Sequence, residues 1–142
     1  MTAAFPERGH AIRSHTADEI LEAWGPTREA CLEEAVLALV DSIASLGEAG
    51  WSWHHRVELT GSDEESLVAL LEEVIYLLEA DNAVPVRVRV RTHGGGEVAD
   101  FWLTDRSRVT SLGAAPKGVA YSQLTFREEE PGRWRCMVTV DV

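Results

Sequence analysis

Long apolar runs are missing from this 142-residue chain, because acidic residues break each hydrophobic stretch well before the roughly 20 residues that a bilayer-spanning helix needs. Met1 to His10 carries no basic segment followed by an apolar one, so neither a secretory leader nor a membrane contact is expected. Cysteine is scarce: Cys31 and Cys136 are far apart in sequence with no C-x-x-C, so neither a disulfide framework nor a zinc cage is argued for, and a cytoplasmic location is expected. Enzyme signatures are also absent: there is no G-x-S-x-G, no H-E-x-x-H, no P-loop and no G-x-G-x-x-G after a strand. Gly94-Gly95-Gly96 lacks the Lys and Ser/Thr of a nucleotide loop and reads as a hairpin turn.

Positive charge is short as well. The net charge is -11, and phosphate-backbone affinity rests on Lys/Arg displacing counterions, so no stable direct nucleic-acid binding is expected. The imbalance is uneven, with 4 basic and 17 acidic residues in residues 1–84 against 9 and 7 in residues 85–142. Such an acidic half is steered toward a basic partner surface or divalent cations, although acidic surfaces commonly serve solubility alone.

What is present suits one domain, residues 1–142, with a loose start over residues 1–8. Gly9 to Arg13 and Ile20 to Trp24 read as short strands around His15-Thr16-Ala17-Asp18, with Gly25-Pro26 ending the second. From the N-cap candidate Thr27, apolar residues from Cys31 to Ile43 recur at helical spacing, predicting a helix that ends near Leu46-Gly47. Trp51 to Leu59 reads as a half-buried strand, in which consecutive His54 and His55 point to opposite faces and cannot chelate one ion. Ser62 and Glu65 form a capping-box pattern ahead of a second helix with a broad stripe from Leu67 to Leu78. Val86 to Arg91 alternates valine and arginine at period two, and further strands are predicted at Glu97 to Leu103, Gly118 to Arg127 and Arg133 to Val140. The expectation is an α+β fold, a single two-layer domain with two amphipathic helices packed on a mainly antiparallel or mixed sheet.

Two anionic groups meet at the end of the sequence: Asp141 is followed directly by Val142, whose α-carboxylate adds a second hard oxygen donor. Should the last strand run beside Asp18, three carboxylates converge and repel one another until a divalent cation such as Ca²⁺, Mg²⁺ or Mn²⁺ arrives. On the residues alone, Asp18 as a turn or cap residue and Asp141 as a solvated strand end are the simpler readings. Arg87, Arg89 and Arg91 read equally simply as a solvated strand face. Lys117, the one lysine in the chain, sits in the loop Ala114-Ala115-Pro116-Lys117-Gly118, which can present it.

Taken in order, several segments resemble the archease family. His15-Thr16-Ala17-Asp18 followed by Glu22-Ala23-Trp24-Gly25-Pro26-Thr27 is similar to its N-terminal pattern. Leu70 to Leu78 is similar to its second helix, Lys117-Gly118-Val119-Ala120-Tyr121-Ser122 to its K-x-x-T-Y segment, and Trp134 to Val142 to its terminal strand. The resemblance implies a divalent-metal site of Asp18, Asp141 and the Val142 carboxylate, with Lys117 functional beside it. It also implies a non-catalytic accessory of RtcB-type RNA ligases in tRNA splicing and RNA repair, promoting ligase guanylylation and multiple turnover. Ala120 in place of the family's Thr, Glu19 after Asp18, and a short loop from Arg106 to Pro116 depart from the pattern. The alternative is an acidic protein-interaction or chaperone-like module with no metal role. An oxygen-ligand metallohydrolase ranks last, with His15 as its one nearby base.

Overall fold

Local chemistry sets the ends of both helices in the computed structural model, which describes residues 7–14 and 17–142. Helix α1 (Arg28–Ile43) begins where the Thr27 hydroxyl accepts from the Ala30 amide at 3.0 Å. Helix α2 (Asp63–Asp81) begins with the reciprocal pair that the sequence predicts: Ser62 Oγ accepts from the Glu65 amide, and Glu65 Oε1 accepts from the Ser62 amide. These bonds, from the Ser62 backbone first, hold the Glu65 carboxyl below its ordinary range. Asn82, in the left-handed conformation at φ 51, closes α2.

The strands are β1 (Gly9–Ser14), β2 (Asp18–Gly25), β3 (Ala44–Ser45), β4 (Trp53–Leu59), β5 (Ala83–His93), β6 (Gly96–Asp105), β7 (Thr110–Ser111), β8 (Gly118–Glu130) and β9 (Arg133–Asp141). Every pairing among the described residues is antiparallel. The sheet predicted from sequence is divided: one sheet has the order β1-β2-β9-β8, a second β4-β6-β5, and a third is the small pair β3-β7. That small pair corrects the predicted end of α1. Ala44 turns extended to pair with Ser111, and Leu112 N–H donates to the Ile43 carbonyl, so the helix stops at Ile43 and does not reach Leu46.

Both helices pack on one side of the two larger sheets and span them, α1 lying against β2 and β5 and α2 against β8 and β5. The core takes alternate residues from each strand, Leu21 and Ala23 of β2, Cys136, Val138 and Val140 of β9, and Phe101 and Leu103 of β6. Against these sit Leu32, Val36 and Leu39 of α1 and Leu67, Leu70, Leu71 and Leu77 of α2. Each such fully buried aliphatic side chain contributes about 1.5–3 kcal/mol. Gly25 is the close approach between layers: a Cβ there would lie 2.9 Å from the Ala30 Cβ and 3.1 Å from the Cys31 amide nitrogen.

Ion pairs fasten the first strand to this frame. Arg8 donates to Glu33 and Glu34, while His10 bridges Glu34 (2.8 Å) and Asp41 (2.6 Å). Glu33 also accepts from the Val90 amide on β5, an edge strand of its sheet, so one acid of α1 blocks an open edge. The rest of the expected loose start, residues 1–6, lies outside the described residues.

Candidate functional site

The antiparallel register of β2 and β9 makes Asp18 and Asp141 direct Cα partners in the last row of the four-stranded sheet. Gly118, the first residue of β8, pairs with Asp141 from the other side. Two backbone bonds lock this end: Lys117 N–H donates to the Asp141 carbonyl at 2.7 Å, and Val142 N–H donates to the Ala17 carbonyl at 3.4 Å. The segment before β2, the end of β9 and the lysine before β8 therefore meet at one corner. Asp18 and Val142 are half-buried, and Asp141 and Lys117 are exposed.

Strand alternation gives the two aspartates the same face of the sheet. Asp18 shares the parity of Glu22 and Trp24, and Asp141 that of Arg135 and Met137, all on the side away from the helices. Glu19 takes the opposite parity and receives a bond from Ser14 Oγ at 3.4 Å, so it does not add its charge to this row. Among the described residues, neither Asp18 nor Asp141 has an ion-pair partner. No group of three or more His, Cys, Asp or Glu side chains among the described residues is gathered to hold a metal. The predicted donor set has two such side chains, the third donor being a main-chain carboxylate. His15, the predicted neighbour of this corner, lies outside the described residues.

The other sequence candidates resolve into structure. His54 and His55 do face opposite ways: His54 bonds Asp100 at 2.8 Å on the outer face of the three-stranded sheet, and His55 bonds Glu73 of α2 at 2.7 Å. Arg56 and Arg91 also donate to Asp100, which is 2 % exposed. Burial pushes that carboxyl up, and the bonds from Arg56, His54 and Arg91 outweigh it, leaving it below its ordinary value. Arg87 lies over the Trp102 ring, 4.7 Å from its centroid. Sequence reading missed Glu22 as a buried acid. It lies on the outward parity of β2 and is covered by Arg13 and Arg135 on the two neighbouring strands, a long-range pairing that nothing in the sequence around it marks.

A two-layer α+β protein of this topology defines a recognisable class, and three comparisons agree on it. The sequence pattern of the Archease protein family (MTH1598/TM1083) matches residues 10–142. A protein of Mycobacterium tuberculosis named "Probable protein archease" is 45% identical over 136 residues, covering 94% of this chain and 75% of its own length. A "Protein archease" of Methanosarcina barkeri is 32% identical over 135 residues, covering 90% of this chain and 92% of its own. The solution structure of Methanobacterium thermoautotrophicum protein 1598 superimposes with a TM-score of 0.72 over 94% of this chain and 99% of that one, at 17% identity, which shows the shared fold. The chain belongs to the archease family, known as an accessory family of RNA ligation and tRNA processing.

Proposed function

We propose that this protein is a non-catalytic activator of an RtcB-type RNA ligase, acting through a divalent cation held by Asp18, Asp141 and the carboxylate of Val142, with Lys117 beside it. The observation that carries the reading is the register pair of Asp18 and Asp141, with Val142 bonded back to Ala17. Like charges directly opposite on neighbouring strands repel, so an unpaired row of this kind is explained by an ion that binds there. The donors are all hard oxygens, the chemistry of Ca²⁺, Mg²⁺ or Mn²⁺. When bound, the ion supplies a local positive charge with coordination positions open toward a partner.

The chain's own residues supply the rest. The backbone bonds of Lys117 and Val142 tie three segments together at this row, and exposed Lys117 brings a flexible ammonium on a side chain anchored beside Asp141 through its backbone. The net charge of -11 suits approach to a basic, RNA-binding cleft on a ligase. The test is ligation of broken RNA by substoichiometric ligase. Wild-type protein supports many turnovers, whereas Asp18→Ala, Asp141→Ala and a chain extended by one glycine beyond Val142 support one. Equal turnover with all three variants sinks the assignment. The acidic interaction module without a metal role also predicts that equality.

A further inference from the structure

Away from the carboxylate corner, the outer face of the four-stranded sheet holds a cavity of about 380 Å³ lined by Ala11, Arg13, Glu22, Trp24, Arg133 and Arg135. Its floor is one carboxylate between two guanidinium groups. Glu22, on β2, is 5 % exposed; its Oε1 accepts from Arg13 on β1 at 3.2 Å, and its Oε2 contacts Arg135 on β9. Each guanidinium carries five N–H donors and commits only part of its fork to Glu22, so both retain donors for a second acceptor. Arg133, at the rim and 3.9 Å from Glu130, adds a third cation, so three arginines against two carboxylates still leave a local excess of positive charge in a chain of net charge -11. An anion is the ligand that this excess selects.

One wall is aromatic. The indole of Trp24 lies across Gly9 so closely that a Cβ there would sit 2.9 Å from its Cζ2 atom. Glycine at this position makes room for the ring, and the ring in turn bounds the cavity. A flat π-surface beside a guanidinium cluster matches a planar heterocycle joined to a phosphate, and the volume falls within the range of small-ligand pockets. Asp18 is four residues from Glu22 along β2, roughly 13 Å at strand rise, so this cavity is separate from the carboxylate row although it opens on the same face.

We propose that this cavity is a nucleotide site, in which Arg13, Arg133 and Arg135 receive the phosphate of a nucleoside monophosphate and Trp24 its base, with Glu22 as the positioning residue that holds two of the arginines. Equilibrium dialysis of the isolated protein in EDTA, with AMP, adenosine and inorganic phosphate as separate probes, tests it without a ligase or a divalent cation. AMP binds at least tenfold more tightly than either fragment. Arg13→Ala and Arg133→Ala, both at exposed positions, weaken AMP at least tenfold. Gly9→Ala, which displaces the indole, weakens AMP while leaving inorganic phosphate unchanged. Asp18→Asn leaves AMP affinity unaltered. AMP binding no tighter than phosphate, or AMP affinity unchanged in Arg13→Ala and Arg133→Ala, overturns the proposal.

Discussion

Asp18 and Asp141 stand as direct cross-strand partners although they lie near opposite ends of the sequence. Two carboxylates so placed destabilise the sheet end when nothing neutralises them, on the order of 0.2–1 kcal/mol for a facing pair. In EDTA, Asp141→Asn therefore melts slightly above wild type. Thermal unfolding followed by circular dichroism checks the sign, and a lower melting point for the variant argues against repulsion in this row.

His10 couples stability to pH. Half-burial lowers its pKa, but hydrogen bonds with Glu34 and Asp41, aided by their charges, raise it above its ordinary 6.5 overall. The folded value exceeds the unfolded one, so the contribution is complete below pH 6.5 and is lost as pH rises through the folded-state value. Urea midpoints of wild type and His10→Ala differ most at about pH 5.5 and converge toward about pH 9. A gap that widens with pH contradicts the bridge.

Gly25→Ala tests the contact between β2 and the first turn of α1. The added methyl meets the Ala30 Cβ and the Cys31 backbone, neither of which can swing away. A loss of roughly 1–3 kcal/mol is expected. Thr27→Ala, which only removes the cap bond, costs about 1 kcal/mol. Chemical denaturation ranks the two.

Cys31 and Cys136 meet in the core despite their distance in sequence: Cys31 Sγ reaches the Ala23 carbonyl at 3.5 Å, and Ala23 is the register partner of Cys136. The hydrogen bond with Cys136, then burial, push the Cys31 thiol far above its ordinary value. Neither thiol should react with an aromatic disulfide reagent in the native protein, and both should react in denaturant. Rapid native labelling contradicts this packing.

Both helices, their N-caps and seven strands were legible because each carries a periodic stripe or a capping residue within its own segment. Strands β3 and β7, two residues each, carry no periodicity, so their pairing and the early stop of α1 at Ile43 were not. The division into two larger sheets depends on which strands pair, a long-range choice that alternation alone leaves open. At the site, Asp18 and Asp141 were named from chemistry and resemblance, while their register depends on how β2 meets β9. The Arg87, Arg89 and Arg91 stripe was legible, but not the buried Asp100 beneath it, because a single acid within β6 looks the same in sequence whether covered or exposed. Glu22 was hidden for the same reason.

The most direct measurement of the central claim is thermal unfolding with and without millimolar Ca²⁺ or Mn²⁺ for wild type, Asp18→Asn and Asp141→Asn. An ion that binds only the folded corner stabilises it by mass action, about 2.7 kcal/mol at a hundredfold excess over its dissociation constant. The account predicts a melting point that rises with the ion in wild type and stays flat in both variants. A flat wild type, or an equal rise in all three proteins, contradicts it.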